Sequence, residues 1–212
     1  MEPEDSTEPD GSRIVRIPTA EEAKAAFGIY ATGLGRATYA WNTLMERLGA
    51  LFVMVLAADR AQLLEVWYVN ENDRTKIQML AGAIGAWPDI RWTSVSPKAK
   101  KDLQWLATEA TNLVDARNDV VHGPTMLSST PDGHEMTAHI FSGHRRAANL
   151  RRKDLLLELN RVELWADSLS RFTMGAISAL HPSGAYPWPD KPQKPDLKRK
   201  SGRPNPPPLS DS

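Results

Sequence analysis

Apolar residues recur every three to four positions along most of this chain, and no other feature constrains the fold as much. Between residues 34 and 58, Trp41, Leu44, Leu48, Leu51, Phe52 and Val55 share one face of a helix. Leu63, Leu64 and Trp67 do the same over 60–69, where Asp59 can cap, and Ile77, Leu80 and Ile84 do so over 73–86, which can start at Asn72 or Asp73 and ends at Trp87-Pro88. Ser96-Pro97 suits a helix start. The helix predicted from there, 97–122, carries Leu103, Leu106, Ala110, Leu113, Val114, Arg117 and Val121 on or near one stripe, and Gly123-Pro124 stops it. A final helix over 153–180 presents Leu155, Leu159, Val162, Trp165, Leu169 and Phe172. Ahead of all these, Thr19-Ala20-Glu21-Glu22 has the form of a capping box for a first helix.

The period changes once. Met126–Ser129, the turn Thr130-Pro131-Asp132-Gly133 and Glu135–Ser142 form a strand, turn and strand. The expected fold is therefore an all-α bundle of about five to six helices, with a small β-hairpin inserted before the last helix. Residues 1–18, with five acids in the first ten positions, are expected to be a disordered acidic leader. The domain spans 19–182. Residues 183–212, rich in proline and lysine and without apolar periodicity, are expected to be a disordered or polyproline-like tail.

Composition narrows the function classes. The 26 basic and 26 acidic residues cancel, so bulk charge does not mark a nucleic-acid binder, although local patches still can. With no cysteine, disulfides, thiolate catalysis and cysteine-based metal centres are excluded, in keeping with a cytoplasmic location. The N-terminus lacks the basic start and apolar run of a signal peptide. The most apolar run, Leu48 to Ala58, has about half the residues that a membrane span needs, so it is expected to be a core helix, with no membrane partner.

Chemistry concentrates in Arg117-Asn118-Asp119-Val120-Val121-His122-Gly123. An arginine, an amide and a histidine at the end of one helix are the side chains needed to hold a phosphate and move a proton. The stretch resembles the signature of the HEPN superfamily of helical-bundle proteins, an arginine followed by a polar residue and, a few positions on, by a histidine. Asn72–Leu80 is similar to a helix that such proteins carry upstream, and the likeness covers roughly 36–180 in pattern. The resemblance implies a metal-independent RNA endonuclease without cofactors, acting as a toxin of a toxin–antitoxin pair or in phage defence. RNA would be its substrate, a homodimer its form and an antitoxin a further partner. Arg117 and His122 would then be catalytic and Asn118 supporting. The alternative is a non-catalytic binding or dimerisation module in which Arg117 and His122 only secure the helix end.

Metal-free RNA cleavage needs a base for the ribose 2′-hydroxyl proton and a cation for the charge developing on phosphate. Arg117 and His122 lie about 140° apart around a helix, which favours a site completed by a second subunit. The helix dipole and Asp119 both favour protonated His122, and so a phosphate-binding or acid role.

Other features carry less. His144-Arg145-Arg146 with Arg151-Arg152-Lys153 is the densest basic stretch, and either contacts RNA phosphate or is a solvated helix start. His134, His139 and His144 recur at spacing five, but strand alternation sends such positions to opposite faces, so no metal site is expected. Trp41, Trp67, Trp105 and Trp165 belong to the core, whereas Trp92 and Trp188 lie in loop or tail. Gly33 and Gly35 follow no strand and form no nucleotide loop.

Overall fold

Thr19 opens the first helix through both halves of its capping box. Its hydroxyl accepts from the Glu22 N–H at 3.2 Å, and the Glu22 carboxylate accepts from the Thr19 N–H at 2.9 Å. The helix this begins, α1, runs unbroken over Ala20–Leu56, so the two separate helices expected for this region are one. Ala26, Tyr30 and Ala37 continue the buried stripe of Trp41 and Leu44 upstream. Small side chains carry little hydrophobic signal, but they let a neighbouring helix approach closely.

In this computed structural model residues 17–57, 59–88, 94–130, 133–139, 143–151, 153–182 and 186–197 are described. The expected acidic leader, apart from Ile17 and Pro18, lies outside them, as do Trp92 and the end of the tail. Among the described residues six helices and one hairpin follow in order: α1, α2 (Arg60–Val69), α3 (Asp73–Ala86), α4 (Ala99–His122), β1 (Thr125–Thr130), β2 (Gly133–Ala138), α5 (Arg145–Leu150) and α6 (Leu155–Leu180). This is the all-α bundle with a hairpin before its closing helices that the periodicity predicts.

The helix starts are set by short polar side chains. Asp59 accepts from the Gln62 N–H, Asn72 from Thr75 and Asp154 from Leu157. Ser96 does not cap α4 directly. It closes a turn in which its hydroxyl accepts from the Lys98 N–H at 3.3 Å, and the helix begins at Ala99. At the other end of α1, Ala57 sits at φ 51°, where a Cβ crowds the following carbonyl. Ala57→Gly is expected to raise stability by about 1 kcal/mol in chemical denaturation.

α1 packs most extensively on α6, and α4 fills the space between α3 and α6. The centre holds Trp41, Leu44, Leu48 and Leu51 of α1, facing Ile77, Leu80 and Ile84 of α3, Leu103 and Leu106 of α4, and Leu159 and Leu169 of α6. The hairpin pairs antiparallel, with Thr130 opposite Gly133 and Thr125 opposite Ala138, and lies against the N-terminal half of α1. There the buried Tyr30 phenol is pushed up in pKa by desolvation, opposed by its hydrogen bond with Thr125. His134 sits 4.0 Å from the Glu22 carboxylate. The second strand ends at Ala138, and residues 140–142 of the longer strand expected lie outside the described residues. α5, which periodicity did not signal, is capped by His144, whose Nδ1 accepts from the Arg146 N–H. So two of the three regularly spaced histidines serve the hairpin–α1 contact and a helix start.

Residues 186–197 of the expected tail are among the described residues. They lie along α4 and α6 as a strap without helix or strand, and Trp188 packs edge-on against Phe172 at 6.3 Å. That indole is therefore an internal contact. No helix among the described residues is long and apolar enough to cross a membrane.

Candidate active site

α4 delivers the Arg117–His122 pair at its C-terminal turn. The Gly123 N–H makes the last helical bond, to the Asp119 carbonyl at 2.9 Å, and the helix ends there because Gly123 turns to extended backbone and Pro124 has no N–H to continue the ladder. Gly123 keeps a negative φ of −68°, so it serves here through close approach: a Cβ would run into the Asp119 carbonyl and come within 3.2 Å of Leu150.

The two side chains meet within one subunit. Arg117 Nη1 donates to His122 Nε2 at 3.1 Å and to Asn118 Oδ1 at 3.0 Å. The 140° offset, which favours a site completed by a second subunit, does not keep the two side chains apart within one. The offset describes where Cβ atoms leave the helix, and a side chain as long as arginine bends around the axis and spans it. The Asn118 amide oxygen accepts from the same Nη1 and so orients the guanidinium.

This contact fixes a protonation state. Arginine only donates, so Nε2 must present its lone pair, and the imidazole is neutral with its proton on Nδ1. The electrostatics point the same way: desolvation first, then Arg117 and then Arg146 lower the His122 pKa from its ordinary 6.5. The expected lean toward protonated His122 is reversed. Asp119, which was to favour the cation, is instead engaged by Asn149, whose amide donates to Asp119 Oδ2 at 2.9 Å. His122 is therefore expected to titrate below pH 6.5 by NMR, and Arg146→Ala to move its midpoint upward. A wild-type midpoint at or above 6.5 contradicts this electrostatic account.

Arg117 is half-buried, and its pKa falls from desolvation, with Asp73 opposing and Arg146 adding to the fall. It stays a cation. Among the described residues no carboxylate forms an ion pair with it, and its buried Nε has no hydrogen-bond partner. A cation with an unmet donor is unusual in a folded interior and marks a place where an acceptor is wanted.

Sequence reasoning missed Asp73 as part of this site. Its position at the start of α3 is held by the Trp41 indole, which donates to Asp73 Oδ2 at 2.9 Å. One residue on, Arg74 pairs with Asp115 at 2.6 Å and ties the start of α3 to the end of α4. The available signal was the Asn72–Leu80 segment, whose likeness to an upstream helix gave it no role. Trp41 is core, as expected, and also a donor.

Of the basic run, the structure brings Arg146 to the pair, because α5 is fastened to the end of α4 through Asn149–Asp119 and Leu150 against Gly123. Arg145, Arg151 and Lys153 are exposed around α5 and the turn after it, while the Arg152 side chain lies outside the described residues. Among the described residues no group of three His, Asp or Glu side chains is arranged to hold a metal ion. Comparison of the chain with known protein families, with curated proteins and with solved structures found no match.

Proposed function

We propose that this protein is a metal-independent RNA endonuclease of the HEPN kind, with Arg117, Asn118, His122 and Arg146 as its centre. The observation that carries the proposal is the 3.1 Å contact between a half-buried arginine and a neutral, solvent-facing histidine, with a second arginine near both. His122 Nε2 takes the proton of the ribose 2′-hydroxyl, the 2′-oxygen bonds to phosphorus as the bond to the 5′-oxygen breaks, and the departing 5′-oxygen takes a proton from solvent water, leaving a 2′,3′-cyclic phosphate. Arg117 swings from His122 to the phosphate, which frees Nε2 as base and gives the guanidinium an anionic acceptor. Arg146 adds positive charge on the same side.

The resemblance further proposes a cytoplasmic toxin or phage-defence effector, an antitoxin partner and a homodimer. With the pair formed within one subunit, such a dimer would set two sites side by side rather than build one from halves. The second reading, a binding or dimerisation module with a structural Arg–His clasp, is favoured by the same contact, because an intrasubunit hydrogen bond also secures a helix end.

Expression of wild type and His122→Ala, with growth and total RNA followed and cleavage assayed in EDTA, separates the two. The nuclease reading expects wild type alone to arrest growth or cut RNA. If both are inert, the clasp remains.

A further inference from the structure

The segment after α6 is constrained before it meets anything. Prolines at 187, 189, 192 and 195 fix their own φ, and the residues before them, Tyr186, Trp188, Lys191 and Lys194, are biased away from helix. The favoured state is the polyproline II helix, which turns once every three residues and rises about 3.1 Å per residue. Lys191 and Lys194 therefore project from the same side, about 9 Å apart.

α4 carries the matching acceptors. Asp102 and Glu109 are seven residues apart, two helical turns, so they share a face about 10.5 Å apart. Lys191 Nζ reaches Asp102 at 2.8 Å, and Lys194 Nζ reaches Glu109 at 2.8 Å. Asp102 is buried and accepts a second bond from the Trp188 indole at 3.0 Å. Each ammonium also lies over an aromatic face, Lys191 at 5.2 Å from Trp105 and Lys194 at 5.9 Å from Trp165. On α6, Gly175 makes room for Pro189, since a Cβ there would stand 2.9 Å from the proline ring. Beyond Lys194 the groove runs on as a cleft of about 340 Å³ between Leu113 and Val162.

We propose that the α4–α6 groove is a recognition site for a polyproline II peptide with lysines three residues apart, and that residues 188–197 are its tethered ligand. The site reads the two ammonium groups through paired acids and aromatic walls, and it reads the proline backbone through the glycine on α6. A peptide of the same pattern on another polypeptide competes for the groove with the chain's own tail.

The absence of cysteine gives a direct test in the full chain. Gln193 is exposed between the two lysines, and Gln193→Cys provides a single attachment point for an environment-sensitive fluorophore. A synthetic peptide with the sequence of residues 186–197 is then titrated in. Because a tethered ligand competes at an effective concentration in the millimolar range, half-displacement is expected near there. The same peptide with both lysines replaced by alanine should need at least about tenfold more. Lys191→Ala and Lys194→Ala in the chain's own tail each remove one ammonium from the tethered ligand and leave the groove intact for the free peptide. Each should lower the displacing concentration with the far-UV circular dichroism unchanged. Equal competition by the alanine peptide, no displacement in any of the three backgrounds, or an unchanged midpoint in both variants overturns the proposal.

Discussion

In the proposed ribonuclease, replacing His122 with alanine is expected to lower RNA cleavage by about 10²- to 10⁴-fold, the usual contribution of a general base, while the protein stays folded. His122 is exposed at the last turn of α4 and sits outside the buried core, so its truncation opens no cavity. Arg117→Ala should cost a similar factor for a different reason, since it removes the cation that meets the charge developing on phosphate. Arg117→Lys distinguishes charge from geometry. An ammonium restores attraction but not the planar fork that reaches both Asn118 and His122, so it should recover RNA binding better than turnover. The pH dependence follows from the lowered pKa of His122. A base must be neutral, so activity rises with pH and levels off below pH 6.5, and Arg146→Ala moves that break upward. Gel assays of a generic RNA in EDTA across pH give both results. Retained cleavage in His122→Ala would remove the base from the mechanism.

The largest stability loss is expected from Trp67→Ala. Trp67 is the one residue of α2 that is buried, at 1% exposure, and its ring packs on Phe52 at 5.5 Å. A hole of that size costs about 3–5 kcal/mol, which in a chain of this length lowers Tm by roughly 6–20 °C. Because α2 has no second anchor of this kind, hydrogen exchange should accelerate across Arg60–Val69 before the rest of the bundle opens. The reverse error is just as informative. Gly49 lies under the same indole, and a Cβ there would sit 2.9 Å from Trp67 Nε1, so Gly49→Ala should destabilise by about 1–3 kcal/mol although alanine is the better helix former. α3 begins just beyond this joint, so Trp67→Ala should also loosen Asp73 and weaken the electrostatic hold on Arg117.

The helical frame is legible wherever a stripe of large apolar residues meets a capping side chain, as at Asp59, Asn72 and Asp154. It blurs where alanine and tyrosine carry the stripe, which is why α1 looked like two helices. Arg117, Asn118 and His122 could be singled out because they are adjacent in sequence. Asp73 and Asn149 could not, because each matters only through a contact with the end of α4 that forms on folding. The helical wheel misjudged the pair by treating a long side chain as a direction. The strap escaped for another reason. A proline–lysine segment has the composition of a solvated spacer, and what orders it is a buried carboxylate: the Trp188–Asp102 bond spans 86 positions. Local pattern cannot register a partner at that distance.

The partnership of α1 with α6 also sets a clock. α1 buries its principal face against α6, and about a hundred residues separate the end of one from the start of the other. At a synthesis rate of about 5–20 residues per second, α1 waits roughly 5–20 s for its partner. During that interval α2, α3, α4 and the hairpin shelter only part of α1, and the face that α6 will cover stays open along a helix about 55 Å long. Ribosome-bound chains stalled before residue 155 should therefore be clients of a holding chaperone, and release should coincide with the emergence of α6.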